Sequence, residues 1–434
     1  MTDFSTPSRR RFLKHSALGA AALPLAGCGA GASSGAETSA TANLPAPIAA
    51  LNPVTGITPI SDDERRARLA RAQQLMGEHK IDAIFMRGGT SLSYYTGMNW
   101  FNSERTMGMV LPRSGDPIYV TPAFEEGRGR EQIKFGHDVR TWQEDESPYQ
   151  RISQILADIH ASTGTLGIEE QVPFFMSQGI AAAAPHAKLA SATPVTAGCR
   201  SIKSPAELNC MQIANNATLS VYKAVFDSLR AAGPGMTQQQ VSDWIGAAYH
   251  RLGLAGNASI NVGKYTALPH GSIAPQTIVE GTVVMLDDGC KVEGYQSDIT
   301  RTFVLGKASD KMKQVFEIVR RAQTAAREAA RIGQPMESVD AAARKVITDA
   351  GYGPDYKHFS HRLGHGIGMD GHEWYYLVRG NPMPIQANMT FSDEPGVYIV
   401  GEFGVRLEDD MHIAPDGAHW FTPQSPSIEE PFAS

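Results

Sequence analysis

Cysteine is scarce in this 434-residue chain, which has four of them, and two kinds of long run are missing altogether. Four cysteines are too few for a disulfide framework, so the fold must depend on the packing of apolar side chains. No uncharged apolar run reaches the roughly 20 residues that a membrane-spanning helix needs. No long basic run is present and the formal net charge is −6, so nothing in the composition favours binding to nucleic acid. What remains is a globular protein long enough for two domains.

The first 28 residues have the pattern of an export signal. Arginines at positions 9, 10 and 11 stand before a short apolar run, residues 17–27, and so resemble a twin-arginine signal. The run ends in Leu25-Ala26-Gly27-Cys28, which resembles a bacterial lipobox with Cys28 as the lipidated residue. We therefore expect twin-arginine export to the periplasm, with a lipid anchor as the only link to a bacterial membrane. A disordered N-terminus with chance arginines is the alternative.

Two regions of different composition follow the signal. Residues 29–58 are mostly small residues and proline with almost no charge, which predicts a disordered tether. Residues 59–198 predict a smaller α/β domain, which opens with a helix capped by Ser61 and with Glu64 three positions later. Its other predicted elements are strands at 81–86, 107–111, 118–120 and 166–168 and a helix at 151–160.

A second domain is predicted over residues 199–430. Ser204 and Glu207 form a capping box with proline at the first helical position, which marks the start of a helix. Long helical patterns then alternate with β-rich segments, and helices that flank an antiparallel sheet fit this order. We therefore predict an α+β fold. The predicted helices are 207–231, 237–252, 309–332 and 338–350, and the β-rich segments are 282–286, 299–305, 390–400 and 405–414.

Two aspartates stand at neighbouring ends of predicted strands. Asp287 ends one apolar strand and Asp298 begins the next, 11 positions on (298 − 287). If the strands pair as a hairpin, the two carboxylates converge, and a dry pair of carboxylates needs a metal or a shared proton. Two solvated turn aspartates are the alternative for this segment alone.

Histidines and further acids follow downstream. His361, His365 and His372 lie among glycines, which favours a site over a packed core because glycine adds little burial and lets the backbone approach a ligand. Glu394 and Glu408 each stand against an apolar β-like run. Four carboxylates and an imidazole, without thiolate, suit manganese or a similar divalent ion better than a structural zinc.

The ordered series Asp287, Asp298, His365, Glu394 and Glu408 closely resembles the pita-bread metallopeptidases, in particular Xaa-Pro dipeptidases and Xaa-Pro aminopeptidases. The resemblance covers roughly residues 200–425, and the region before it is similar to a creatinase-type N-terminal domain. It implies a C-terminal pita-bread domain after a smaller α/β domain. The motifs that carry it are Leu268-Pro269-His270-Gly271, residues 297–302, 364–368 and 394–396, and Glu408-Asp409-Asp410.

The resemblance also implies roles for individual residues. The five residues of the series would hold two divalent ions, with Asp298 and Glu408 shared between them; we expect manganese, with cobalt and zinc as alternatives. Glu394 would in addition carry a proton during catalysis. Three histidines, His270, His361 and His372, would bind the substrate and assist the reaction.

Four further residues have weaker assignments. Arg379 is expected either to anchor a substrate carboxylate or to be an exposed loop arginine. Arg406 is expected to neutralise the acids around it. Asp288 and Asp393 adjoin two ligands at positions where the family often has small or apolar residues, which leaves the metal preference open.

The expected function is hydrolysis of Xaa-Pro bonds in dipeptides or at peptide N-termini, by a homodimer or homotetramer that acts on proline-containing peptides. A catalytically silent binding protein on the same fold is one alternative, and loss of a ligand would have favoured it. A hydrolase of a non-peptide amide or ester is the other. Methionine aminopeptidase is the least favoured enzyme, because that branch lacks the N-terminal domain.

Overall fold

The computed structural model describes residues 44–432. The predicted export signal and its Cys28 lie outside these described residues. Among the described residues, no helix is long and apolar enough to cross a membrane. The predicted α+β fold is confirmed, with a smaller α/β domain ahead of a larger domain of helices and antiparallel sheets.

The predicted tether is wrong over its second part. Helix α1 (Ala46–Ala49) begins two residues into the described chain, and Ile48 is fully buried. The Val54 amide donates a hydrogen bond to the Leu252 carbonyl at 2.9 Å. Residues 45–58 therefore pack on the second domain, because single apolar side chains can anchor a segment whose overall composition suggests disorder.

The N-terminal domain is built on one mixed sheet with helices on its faces. The six strands lie in the order β4-β3-β2-β1-β5-β6, in which β1–β2 and β2–β3 are antiparallel and the other pairs are parallel. The strands are β1 (Ala83–Arg87), β2 (Gly108–Pro112), β3 (Ile118–Pro122), β4 (Val139–Trp142), β5 (Thr165–Ile168) and β6 (Lys188–Ser191). The helices are α2 (Asp62–His79), α3 (Thr90–Thr96), α4 (Glu126–Gln132), α5 (Pro148–Asp158), α6 (Phe174–Ala183) and α7 (Thr193–Arg200).

Alternation along the strands gives this sheet a core on each face. Ile84 and Met86 of β1 join the apolar core that includes α2, whereas Ala83 and Phe85 join the core that includes α5. Successive side chains of a strand point to opposite faces, so a continuous apolar run is what a sheet covered on both sides requires.

The second domain contains four long helices and several antiparallel ladders. The helices are α8 (Pro205–Ala232), α9 (Gln238–Arg251), α10 (Asp310–Ala329) and α11 (Met336–Ile347). The strands are β7 (Ser259–Val262), β8 (Val283–Asp288), β9 (Lys291–Val292), β10 (Tyr295–Gln296), β11 (Ile299–Val304), β12 (Gly364–Gly366), β13 (Glu373–Leu377), β14 (Thr390–Asp393), β15 (Gly396–Ile399), β16 (Phe403–Arg406), β17 (Asp409–Ala414) and β18 (Gly417–Trp420). The main sheets have the orders β11-β8-β7 and β13-β12-β14-β17-β18.

Helix capping explains where α8 begins. The predicted capping box of α8 is present: Ser204 accepts from the Glu207 amide at 3.2 Å, and Glu207 accepts from the Ser204 amide at 2.8 Å. Helices α10 and α11 turn apolar faces, including Phe316 and Val339, into one large core with the five-stranded sheet. This core supports the ladders that carry the candidate site.

Two predicted strands are each broken in two. The segment predicted as 390–400 forms β14 and β15, and the segment predicted as 405–414 forms β16 and β17. The breaks fall at Glu394 and Glu408. Both candidate ligands thus stand where the chain leaves one ladder for another, and their side chains are released from the alternation of a regular strand.

Candidate metal centre

Two antiparallel ladders each present a pair of carboxylates. In the β8–β11 ladder, Asp287 lies near the end of β8 and Asp298 directly precedes β11. In the β14–β17 ladder, Glu394 directly follows β14 and Glu408 directly precedes β17. An antiparallel pair places the end of one strand beside the start of its partner, so the carboxylates converge. The predicted convergence of the two aspartates is confirmed.

His365 joins the carboxylates from β12. Gly364 allows this strand to lie close to β14, because a Cβ at that position would collide with the Ser392 carbonyl oxygen. The His365 Nδ1 lies 3.0 Å from the Gly366 carbonyl oxygen. Since a carbonyl only accepts, Nδ1 carries the hydrogen, and the lone pair of Nε2 is available to a metal.

The five side chains lie within metal-binding distance of one another. Three groups have ligand atoms that all lie within 4.8 Å: Asp287 with Asp298 and Glu408, His365 with Glu394 and Glu408, and Asp298 with His365 and His372. Asp298, His365 and Glu408 each belong to two groups. Of these three, only the carboxylates of Asp298 and Glu408 have two ligand oxygens, so these two are placed to be shared between two ions.

Burial sets the charge state of the carboxylates. It raises the pKa of Glu394 to about 7 and holds the pKa values of Asp298 and Glu408 well above their usual range, because the charged forms lose hydration and repel one another. Among residues 44–432, Arg406 is the one Lys or Arg side chain that lies within 4.0 Å of any ligand carboxylate, and it does so at Asp287 and Glu408. When all four carboxylates are ionised, as metal ligands must be, one arginine leaves three uncompensated negative charges (4 − 1), which fits divalent cations.

Arg406 and Thr300 hold the ligands in place. Arg406 pairs with Asp287 through Nη2 and donates through Nε to the Thr300 hydroxyl at 3.0 Å, as its expected neutralising role requires. The Thr300 Oγ1 lies 2.7 Å from Asp287 Oδ1 and 2.6 Å from Glu408 Oε2. Thr300 could not be singled out from the sequence, because nothing local distinguishes it from Thr302 of the same strand. Such contacts fix ligand orientation.

An open pocket of about 620 Å³ lies over the carboxylates, within the range of small-ligand sites. All three predicted substrate histidines line it. His270 and His372 are exposed on its wall, and the ring of His372 stacks on that of His365 with centroids 3.7 Å apart. Burial lowers the pKa of His365 to about 3, so this imidazole is neutral at pH 7 and suited to bind metal.

His361 differs from the other two histidines because both of its ring nitrogens are engaged. Nδ1 lies 2.8 Å from the Arg362 carbonyl and therefore donates, and Nε2 accepts from the Tyr398 hydroxyl at 2.7 Å. Arg406 donates to the same hydroxyl at 3.0 Å. His361 thus forms the pocket wall and fixes Tyr398 and Arg406, with no free ring nitrogen for substrate.

The structure corrects the assignment of Arg379 and reveals another arginine in its place. Arg379 is exposed, pairs with Asp355 at 2.8 Å, and does not line the pocket, so it is the loop arginine of the two readings. Arg362 does line the pocket. Its ring-facing contact is Tyr376, with the guanidinium carbon 4.0 Å from the centroid, and within the described range no carboxylate lies within 4.0 Å of it. The motif contained Arg362, but only the fold shows that it has no carboxylate partner among the described residues.

Of the two additional acids, only Asp288 faces the pocket. Asp288 lies exposed on the pocket wall beside Asp287. Asp393 is fully buried and accepts a hydrogen bond from Trp420 Nε1 at 3.0 Å. The two departures from the family pattern therefore differ in consequence, since one changes the charge of the substrate pocket and the other the charge behind it.

Two family models match the chain. Metallopeptidase family M24 matches residues 209–415, which include all five candidate ligands. The Creatinase/Prolidase N-terminal domain matches residues 68–202. The two matches follow the division into two domains seen in the structure.

Individual relatives agree with these matches. The chain is 31% identical to an Xaa-Pro dipeptidase of Lactobacillus helveticus, over 82% of this chain and 96% of the relative. Among solved structures it is similar to dipeptidase PepE of Mycobacterium ulcerans, with a TM-score of 0.78, 30% identity, and coverage of 86% of this chain and 99% of that one. A prolidase of Thermococcus sibiricus gives a TM-score of 0.74 at 29% identity, with coverage of 83% and 97%.

Proposed function

This chain belongs to metallopeptidase family M24, and we propose that it hydrolyses the peptide bond before proline in Xaa-Pro dipeptides. The observation that carries the proposal is the convergence of all five ligand positions beneath one open pocket. The named activities of the relatives support the substrate class.

The residues present fit a dinuclear site. Asp287, Asp298, His365, Glu394 and Glu408 would hold the ions, with Asp298 and Glu408 shared. Two bound divalent ions would polarise the scissile carbonyl and lower the pKa of water at the site. We propose manganese as the native metal, because oxygen donors predominate over nitrogen and no thiolate is present; metal analysis of protein purified without added metal tests this.

Glu394 is suited to move a proton. Burial raises its pKa to about 7, and its Oε1 accepts from the Ser392 hydroxyl at 3.2 Å, which fixes the carboxylate beside the pocket. In the proposed reaction Glu394 takes a proton from the attacking water and delivers it to the proline nitrogen, which is a poor leaving group unless it is protonated.

His270 and His372 are placed to stabilise charge. Both are exposed on the pocket wall, and neither ring makes a hydrogen bond to a carboxylate among the described residues. Donors aimed at the developing oxyanion typically contribute about 10²–10³ in rate. These two histidines are therefore the side chains that would orient the substrate carbonyl.

Arg362 supports dipeptides over longer substrates. The other pocket arginine, Arg406, has Asp287, Thr300, Tyr398 and the Pro269 carbonyl as partners, so its donors are in use. Among the described residues, the side-chain hydrogen-bond partner of Arg362 is His372 Nδ1, 3.4 Å from Nη2, which leaves its other N–H groups available. A dipeptide ends in a carboxylate one residue after the cleaved bond, and a guanidinium binds such a group with two parallel hydrogen bonds.

The test uses the purified, manganese-loaded chain with Ala-Pro and with a longer peptide that begins Ala-Pro, and Glu394→Gln as the blank. We expect cleavage of Ala-Pro that is lost in the blank, and slower cleavage of the longer peptide. Faster cleavage of the longer peptide would make the enzyme an aminopeptidase. Cleavage of neither, with two ions bound, would favour a non-peptide hydrolase or a silent binding protein.

We also propose export by the twin-arginine route and lipid anchoring at Cys28, for which the support is the sequence pattern alone. In bacterial cells, Cys28→Ala should move the protein from the membrane fraction to the soluble periplasmic fraction. Retention of this variant in the membrane fraction would contradict the anchor.

A homodimer or homotetramer is proposed for the purified protein, because enzymes of the branch it resembles commonly assemble in this way. Sedimentation equilibrium tests the assembly, and a monomer at micromolar concentration would contradict it.

A further inference from the structure

The segment that carries His372 is held from both domains. We call residues 368–373 the His372 loop. From the catalytic domain, the Gln296 amide donates to the Gly368 carbonyl at 2.8 Å, and Gln296 Nε2 donates to the Met369 carbonyl at 3.0 Å. The Met369 side chain, in contrast, packs against the apolar core of the N-terminal domain. The loop therefore bridges the two domains.

Asp370 gives the loop two polar contacts with the N-terminal domain. The Thr90 hydroxyl, at the start of α3, donates to Asp370 Oδ1 at 2.6 Å. Arg200, at the end of α7, donates to Asp370 Oδ2 at 2.6 Å. Each carboxylate oxygen thus has a donor from a different helix, which fixes the orientation of the side chain.

Glu373 closes the loop from beneath. Its buried carboxylate pairs with Arg200 at 2.5 Å and Lys203 at 3.0 Å, and it accepts the amides of Met369 at 3.0 Å and Asp370 at 3.2 Å. Burial opposes the charge, but the two cations lower the pKa of Glu373 to about 2. The loop backbone therefore rests on an ionised carboxylate that is itself anchored in α7 and the interdomain segment.

His372 depends on this backbone for its position. Its side chain is exposed, its ring stacks on His365, and its Nδ1 lies 3.4 Å from Arg362 Nη2. A ring nitrogen also lies within 4.8 Å of Asp298. A stacked ring can slide or tilt at small cost, whereas the backbone two residues before it is fixed through Asp370. The direction of the imidazole is thus set from outside the site.

We propose that Thr90 of the N-terminal domain is a positioning residue for catalysis, which acts through Asp370 to hold His372 over the metal centre. The proposal rests on the proposed peptidase function for its kinetic consequence. It gives the N-terminal domain a part in turnover within its own chain. A misplacement of about 1 Å in a catalytic group can cost up to about 10²-fold in rate, so one hydrogen bond at this point has a measurable effect.

A second interdomain contact provides a matched control. Glu64 of α2 accepts from Arg68 at 2.7 Å and from the Ser204 hydroxyl at 2.7 Å, and so also links the two domains. It has no contact with the His372 loop among the described residues. Glu64→Gln therefore weakens the domain contact without touching the route from Thr90 to His372.

The experiment measures kcat, KM and metal content for Thr90→Val, Thr90→Ser and Glu64→Gln in the full chain with Ala-Pro. We expect kcat to fall about 10-fold or more in Thr90→Val, with KM and metal content unchanged, because Val keeps the shape of Thr and removes the donor. Thr90→Ser restores the donor and should recover most of kcat. Glu64→Gln should keep the kcat of the natural chain.

Coupling between the two residues gives the sharper result. In Asp370→Ala, which loses both contacts of the carboxylate, addition of Thr90→Val should cause no further fall in kcat, since the partner is already gone. Additive falls would overturn the proposal. The proposal would also be overturned if Thr90→Val had the same kcat as the natural chain, or if Glu64→Gln lowered kcat as much as Thr90→Val.

Hydrogen exchange separates this proposal from the proposed function. Amides of the His372 loop should exchange faster in Thr90→Val than in Glu64→Gln, whether or not the protein cleaves Ala-Pro. If the natural chain is inactive but exchange is faster in Thr90→Val, the peptidase function is contradicted and the positioning role of Thr90 is supported. Unchanged exchange in Thr90→Val contradicts the positioning role.

Discussion

The domain junction and the metal centre both contain clustered acidic and basic side chains, but the carboxyl pKa values are shifted in opposite directions. At the junction, Arg200 and Lys203 face Asp370 and Glu373, and the pKa of Glu373 falls to about 2 despite burial. At the metal centre, four carboxylates face one arginine, and burial raises the pKa of Glu394 to about 7. Both clusters consist of buried and half-buried side chains, so burial alone does not separate them. The balance of opposite charges does, and the unbalanced cluster is the one that requires a ligand.

Removal of one charge should have different consequences in the two clusters, and the largest effect on activity is expected at the metal centre. Glu394→Gln keeps the shape and one oxygen donor but cannot carry a proton. We expect kcat/KM on Ala-Pro to fall about 10²–10⁴-fold, the usual contribution of a general acid–base group. Rates and metal content are measured together. Activity within about threefold of the natural chain would show that another group moves the proton.

At the junction the same substitution should affect stability instead. Glu373→Gln leaves Lys203 without a carboxylate partner in a buried environment and Arg200 with Asp370 alone, and loss of one partner of a buried pair typically costs about 3–5 kcal/mol. Urea unfolding followed by far-UV circular dichroism at pH 7 measures the change in free energy. A loss below about 1 kcal/mol would mean that water reaches the cluster and replaces the carboxylate.

The pH dependence of metal binding should identify the unbalanced cluster. In the metal-free protein the pKa of Glu394 is about 7, so below that pH a metal ion must displace its proton. Apparent affinity for Mn²⁺ should therefore fall as pH falls below 7, by about tenfold per pH unit for each proton displaced. Titration against a competing chelator measures it. Glu394→Gln should have a shallower slope, and an equal slope would assign the proton elsewhere.

The smallest effect is expected at Arg362, which belongs to neither cluster. Arg362→Met should lower kcat/KM for Ala-Pro by about tenfold, because a hydrogen bond to a charged group contributes about 1.5–3 kcal/mol. The amide Ala-Pro-NH₂, which lacks the terminal carboxylate, should be cleaved equally by the natural chain and the variant. Equal losses on both substrates would show that Arg362 acts on His372 or on the pocket shape and does not bind the carboxylate.

The fold was largely predictable where the signals are local. The capping box of α8 and the apolar strand runs depend on residues a few positions apart, and both predictions are confirmed. The packing of residues 45–58 on the second domain was not predictable in this way. Its burial depends on contacts such as Val54 with Leu252, some 200 residues away, and composition carries no information about them.

The candidate site shows the same division. The five ligand positions could be named because their ordered series resembles that of the pita-bread metallopeptidases. The residues alone indicated only acids at strand ends and a histidine among glycines. The sequence left Arg379 with two possible roles and gave none to Arg362. Only the fold shows that Arg379 has Asp355 as a partner while Arg362 faces the pocket. Pairing of charges is a tertiary property, and the contact of Thr90 with Asp370, 280 positions apart, is another example.

The pairing of Arg200 with Glu373 has a consequence for how the two modules can be recombined. Arg200 lies within the segment matched by the N-terminal family model and Glu373 within the segment matched by the peptidase model. A chimera joined near residue 203 would inherit one half of this contact from each parent. If the parents differ at either position, both domains would fold but the contact between them would be lost. Exchange of N-terminal domains among related enzymes should therefore succeed only when the chimera keeps both Thr90 with Asp370 and Arg200 with Glu373.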